Sequence, residues 1–180
     1  LGRIQPFIKG LDMLVEACAL LRPRLEEDGT RVLLYGPDHE GGRARVAGMV
    51  RKRRLDHIVS LPGPVTGEDK HVALRDADVY VQTSRNEGHS ISVLEALAHG
   101  LPCLLTPATH MAREVAEAEA GWAVEPSPAG IARGLLGVMD SRLRLAYLGR
   151  NARALVQQRY TWDQAARRAV EAYRRVVGQL

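Results

Sequence analysis

Aromatic residues are scarce in this chain, making up 4% of its 180 residues, with a single phenylalanine. A core must then be built from Leu, Val, Ala and Ile, which suits helices packed on a parallel sheet and speaks against a sandwich. Cysteine is almost absent. Cys18 and Cys103 sit in apolar runs without CxxC or Cys/His spacing, so buried free thiols are expected rather than a disulfide or a metal site. No apolar run approaches the roughly 18 residues of a membrane span, and the amino terminus shows no signal-peptide pattern. A cytoplasmic domain is the expectation. The charge is also slight: 25 basic against 21 acidic residues give +4, which fits an anionic small molecule and does not demand nucleic acid.

What is present is a 46% apolar chain of single-domain length. Short apolar runs, Val32 to Tyr35, Ile58 to Leu61, Val79 to Gln82, Cys103 to Thr106 and Trp122 to Val124, alternate with segments of helical period. Leu11, Leu14, Val15, Cys18, Leu21 and Leu25 lie on one face of a first helix. Further helices are expected at about 43–53, 68–75, 93–99, 111–119, 128–139, 143–158 and 162–177. Ser127 before Pro128, and Thr161 to Gln164, carry helix-start signals. The fold class is α/β: a Rossmann-like open parallel sheet with helices on both faces. The opening LGRI reads as the end of a strand, so the first strand is expected to be truncated.

The stretch RNEGHSISVLEALAHG, 85–100, holds the candidate site. Ser92 and Glu95 are spaced as a capping box, with Gly100 and Pro102 closing the helix. That explains Glu95 without a ligand. Glu87 lies in the loop after a strand, at the carboxyl edge where open α/β sheets bind ligands. The amides of Gly88-His-Ser-Ile and the helix start can hold a phosphate. Carboxylates on either side would accept hydrogen bonds from sugar hydroxyls.

With Gly2-Arg-IQPFI-Lys9-Gly, VLLYGPD, IVSLPG, ADVYVQTSRNEG and Tyr160-Thr-Trp162, the motif Glu87-GHSISVL-Glu95 resembles the EX7E signature of retaining GT-B glycosyltransferases, the GT4 family. The resemblance covers essentially the whole chain and implies the carboxyl-terminal, nucleotide-sugar-binding half of a GT-B fold. It implies one donor-binding domain over 1–180, of which 128–180 is a helical extension, with the acceptor domain absent. Arg3 and Lys9 would pair with the diphosphate. Gly88 and the backbone of His89, Ser90 and Ile91 would cradle the distal phosphate and sugar. Glu87 would hold sugar hydroxyls, Glu95 the ribose, and Leu61 and Pro62 would touch the base. The implied donor is a UDP-, GDP- or ADP-sugar, with no cofactor and no metal.

Each residue also has a plainer reading. Arg3 and Lys9 alone are two surface cations, Leu61 and Pro62 are strand-end packing, and His89 is a solvated loop histidine. His39 and Glu40 beside Gly41 are too few for a metal site. His110 and Met111 depart from the family's glycine pair, so Thr109 or His110 would simply line the pocket. The basic run Arg51 to Arg54 falls at a helix end, where cations complement the dipole, so no nucleic-acid partner is expected. A non-catalytic nucleotide-sugar sensor and a basic interaction module remain the alternatives. The parent would transfer a hexosyl group, at the inner face of a membrane if peripheral, whereas the fragment alone would be inactive. Trp162, Tyr173 and their neighbours would leave an apolar patch through which the fragment could form a homodimer.

Overall fold

The computed structural model describes residues 1–88 and 90–178. Its strands are all parallel and fall into two groups. β1 (Val32–Tyr35) pairs with β2 (Val59–Gly63), and β3 (Tyr80–Gln82), β4 (Cys103–Leu105) and β5 (Gly121–Ala123) pair in the order β3-β4-β5. Parallel pairing follows from the helices between successive strands: α3 (Gly42–Lys52), α4 (Gly67–Arg75), α5 (Ile91–Ala98) and α6 (Ala112–Glu117). Three helices close the chain: α7 (Pro128–Asp140), α8 (Leu145–Arg159) and α9 (Trp162–Val177).

β4 explains why helices cover both faces. Its three residues are fully buried, and they alternate: Leu104 joins the core packed by α1 (Leu11–Leu20) and α7, while Cys103 and Leu105 join the one packed by α5, α6 and α8. A strand buried on both sides needs a continuous apolar run, and Cys-Leu-Leu supplies it. Ser127 accepts from the amide of Gly130 at 3.0 Å and Thr161 from that of Gln164 at 3.3 Å, so both helix starts are as expected.

Three differences from the sequence reading stand out. The first helix is two, α1 and α2 (Arg22–Asp28), broken at Leu21 because Pro23 has no N–H to continue the ladder and its ring crowds the carbonyl four residues back. β2 runs on to Gly63, so Leu61 and Pro62 lie within the strand. α5 begins at Ile91 with Ser90 as its N-cap, so Ser92 sits inside the first turn and the expected Ser92–Glu95 capping box does not form. The other end of α5 is as read. Gly100 takes φ 79°, its amide bonds Leu97, and the amide of Leu101 reaches back to Ala96.

Between the facing edges of β1 and β3 lies a cavity of about 940 Å³. Residues 2–4 run along one side of its mouth, where the amides of Gly2 and Ile4 bond the carbonyls of Tyr35 and Pro37 at 3.0 and 2.8 Å. They carry the chain directly to the site.

Candidate functional site

Lys9 and Glu87 meet although 78 residues separate them, the Lys9 ammonium donating to Glu87 Oε1. Two further donors converge on that oxygen, Ser84 Oγ at 2.7 Å and Gln82 Nε2 at 2.8 Å. Among the described residues none reaches Oε2. Burial works against ionising Glu87, but the hydrogen bonds from Lys9, Ser84 and Gln82 outweigh it and hold its carboxyl below the usual range. The group is a fixed carboxylate at neutral pH. It is therefore suited to accepting hydrogen bonds and unsuited to donating a proton.

Gln82 organises this corner. It is 8% exposed at the end of β3, and its amide oxygen accepts from Ser90 Oγ at 2.9 Å, Tyr80 Oη at 3.1 Å and Ser92 Oγ at 3.3 Å. Burial pushes the Tyr80 hydroxyl up, outweighing the opposing hydrogen bond with Ser92, so it stays protonated and able to donate. The strand end, the loop and the first turn of α5 thus form one satisfied polar network.

A second set of contacts clamps the Lys9 loop onto the Glu87 loop. Arg85 makes a two-pronged pair with Asp12 at 2.7 and 2.8 Å, donates to the Phe7 carbonyl at 2.7 Å, and lies 4.3 Å over the Phe7 ring. Its backbone amide bonds the Ile8 carbonyl at 2.8 Å. Thr83 Oγ1 donates toward the carbonyls of Lys9 at 3.2 Å and Gly10 at 3.1 Å. Gly10 has φ 62°, and a Cβ there would lie 1.9 Å from the Thr83 carbonyl oxygen, so only glycine allows this approach.

The start of α5 is open on the same side. Among the described residues the amides of Ser90, Ile91 and Ser92 have no protein acceptor, and Gly88 and Ile91 are exposed. Free amides at a helix start attract anions. Glu95, one turn further along, is paired with Lys70 of α4 at 2.6 Å. That lysine replaces the expected cap contact.

The remaining expected residues are dispersed. Arg3 is exposed beside β1 and, like Lys9, borders the large cavity. The Leu61 carbonyl accepts from the Arg43 guanidinium, and Pro62 is exposed. His89 lies outside the described residues. Thr109 is fully buried and donates to the Thr106 carbonyl at 2.9 Å, so it is packed rather than lining a pocket, while exposed His110 takes φ 60°, a conformation that favours glycine. Asp38 accepts from the amides of Arg43 and Gly41 at 2.6 and 3.0 Å and starts α3. Among the described residues no three metal-ligating side chains cluster. Arg53, at the end of α3, pairs with Glu16 at 2.7 Å. No helix among the described residues is long and apolar enough to cross a membrane.

Sequence reasoning missed Gln82, Ser84, Lys70 and the Arg85–Asp12 pair. Only Gln82 left a trace, a polar residue closing an apolar strand.

Comparison with known proteins agrees with this fold. The model of a family described as "Glycosyl transferases group 1" matches residues 1–141. The chain is 29% identical over 179 residues to D-inositol 3-phosphate glycosyltransferase of Arthrobacter sp. (strain FB24), covering 99% of this chain and 42% of that protein. Its fold is similar to sucrose-phosphate synthase of Thermosynechococcus elongatus, with TM-score 0.81 and 24% identity over 100% of this chain and 45% of that one. It is also similar to Anabaena Alr3699/HepE in complex with UDP, with TM-score 0.79 and 20% identity over 96% of this chain and 47% of that one. The chain spans about two fifths of the length of the curated relatives it matches.

Proposed function

Because the chain belongs to the glycosyl transferases group 1 family, we propose that it is the nucleotide-sugar-binding domain of a retaining GT-B glycosyltransferase of the GT4 type, with Glu87 and Glu95 as its EX7E pair. The observation that carries this reading is the junction of Lys9, Glu87 and the open amides at the start of α5. A cation and free N–H groups receive a diphosphate there, and a fixed carboxylate receives the sugar beside it. The UDP complex of a structural neighbour supports a nucleoside diphosphate as the ligand class.

Chemistry at such a site rests on charge stabilisation and positioning. Lys9 and Arg3 offset charge building on the departing diphosphate, the α5 amides hold its distal phosphate, and Glu87 orients the hexosyl group. Neither glutamate acts as a proton donor. An acceptor-binding domain, amino-terminal in a protein as long as the relatives, supplies the other wall of the cleft. In this reading 1–180 is one donor domain with 128–180 as its helical extension, the parent works in the cytoplasm or at the inner membrane face, and the chain alone binds without transferring.

Trp162 is 91% exposed and Tyr173 72%, on the same side of α9 as Val170 and Val177. This apolar side packs against the acceptor domain, or against a second copy when that domain is missing. The test of function is thermal shift with UDP, GDP and ADP. Ligand at about 100 times its Kd adds roughly 2.7 kcal/mol. Silence towards all three at millimolar concentration overturns the reading.

A further inference from the structure

We propose that Lys70 is a positioning residue for Glu95 and through it sets a preference for ribose over deoxyribose in the bound nucleoside diphosphate. The inference rests on the functional reading above. Lys70 sits in the first half of α4 and donates to Glu95 Oε1 at 2.6 Å, with both side chains about one-third exposed, 29% and 33%. With Oε1 engaged, Oε2 has no hydrogen-bond donor among the described residues. Glu87 is arranged in the same way, its Oε1 held by Lys9 and its Oε2 without a donor among the described residues. Each carboxylate of the pair is thus held by a lysine delivered from another element.

The neighbouring residues fix the register between α4 and α5. His71 Nδ1 lies 3.1 Å from His99 Nε2, with the rings stacked at 5.2 Å, and His99 Nδ1 lies 2.8 Å from the Glu95 carbonyl oxygen. A carbonyl only accepts, so His99 Nδ1 carries a proton. In the neutral ring its Nε2 then accepts, and His71 Nδ1 is the donor. This stack links α4 to the turn of α5 that carries Glu95, so the Lys70–Glu95 pair does not stand alone between the two helices. Lys70 does two things for a nucleotide. It stops the Glu95 carboxylate from rotating away from the ribose hydroxyls, and it balances a negative charge that would repel the diphosphate.

The experiment is titration calorimetry of the chain with UDP, GDP and ADP, followed by the tightest of these against its 2′-deoxy form. A hydroxyl bonded to a fixed carboxylate gives the unsubstituted chain a ribose preference of about ten-fold or more. Lys70→Met is expected to cut that preference to about two-fold, and Lys70→Arg to restore most of it, with far-UV circular dichroism unchanged in both. A merely structural lysine would weaken both nucleotides equally. An unchanged ratio in Lys70→Met, or a loss that Lys70→Arg does not restore, overturns the inference alone. Failure of the unsubstituted chain to bind any of the three overturns the functional reading and this inference with it.

Discussion

Replacing Gly10 with alanine tests whether the two loops of the site are held by close backbone contact. The left-handed backbone at φ 62° costs an L-residue about 1–2 kcal/mol. The added Cβ would also lie 1.9 Å from the Thr83 carbonyl oxygen and 2.8 Å from Met13 Cε. The first of these is backbone and cannot rotate away, so the loops must part, at a further cost of about 1–3 kcal/mol by analogy with overpacked cores. The sum is roughly 2–5 kcal/mol, and at about 2–4 °C per kcal/mol for a chain of this size the melting temperature falls by roughly 4–20 °C. Gly29→Ala is the internal control. Gly29 has φ 67° but nothing within 4 Å of its added Cβ, so it pays only the conformational part. Differential scanning fluorimetry of the two variants separates clash from backbone preference. If Gly10→Ala melts no lower than Gly29→Ala, the close approach is not what holds the loops. Lys9 adjoins Gly10, so Gly10→Ala should also weaken nucleoside diphosphate binding, whereas Gly29→Ala should not.

Lys9→Met is expected to reduce nucleoside diphosphate affinity by about ten-fold or more, since it removes a charged contact, and calorimetry against the tightest of UDP, GDP and ADP reads it directly. The Glu87 carboxyl is held below its ordinary value near 4.5, so its contribution to stability is present above that pH and is lost as the pH falls through the depressed value. Urea melts from pH 7 to pH 3 should show a steeper acid loss for the unsubstituted chain than for Glu87→Gln, and parallel curves would refute the assignment. Asp12→Asn should cost about 1 kcal/mol, the discounted value of a two-pronged pair a little under one-third exposed, and should loosen the Phe7–Gly10 loop in hydrogen exchange. Light scattering should find Trp162→Ser/Tyr173→Ser more monomeric than the parent chain; equal masses would remove the α9 face as a surface for a second copy.

The fold was legible because its signals are local. A short run such as Cys103 to Leu105, bounded by Pro102 and Pro107, reads as a strand buried on both faces, and Ser127-Pro128 announces α7. Where reading failed, a nearby residue offered a competing signal of the same strength. Ser90 and Ser92 both precede a helical run, and pattern alone preferred Ser92 because Glu95 stood three residues on. The helix starts at Ile91, and neither serine caps it through its side chain, because the Ser90 and Ser92 hydroxyls are both committed to the Gln82 amide. A tertiary partner took both candidate caps, which no local pattern reports. Pro23 is the opposite case, since its effect on the first helix is local and was available from the sequence.

The site divides along the same line. Glu87, Lys9 and the open start of α5 belong to motifs whose spacing can be read, but the contacts that make them a site join residues far apart: Lys9 to Glu87 across 78 positions, Arg85 to Asp12 across 73, Lys70 to Glu95 across 25. No periodicity reports such pairs. What the pairs change is the electrostatic character of the site. Read from sequence, two glutamates beside a phosphate look repulsive to the ligand they should bind. In the folded chain each glutamate has a lysine on one oxygen, so the proposed site holds two locally balanced acceptors on either side of the free α5 amides. A nucleotide sugar, with hydroxyls on both sides of a diphosphate, has the alternation of groups that this arrangement matches, and an inorganic polyphosphate does not. The chain should therefore bind a nucleoside diphosphate more tightly than tripolyphosphate in competition calorimetry, although the latter carries more charge. Preference for tripolyphosphate would mean that the lysines act as a plain basic patch and that the glutamates contribute nothing to recognition.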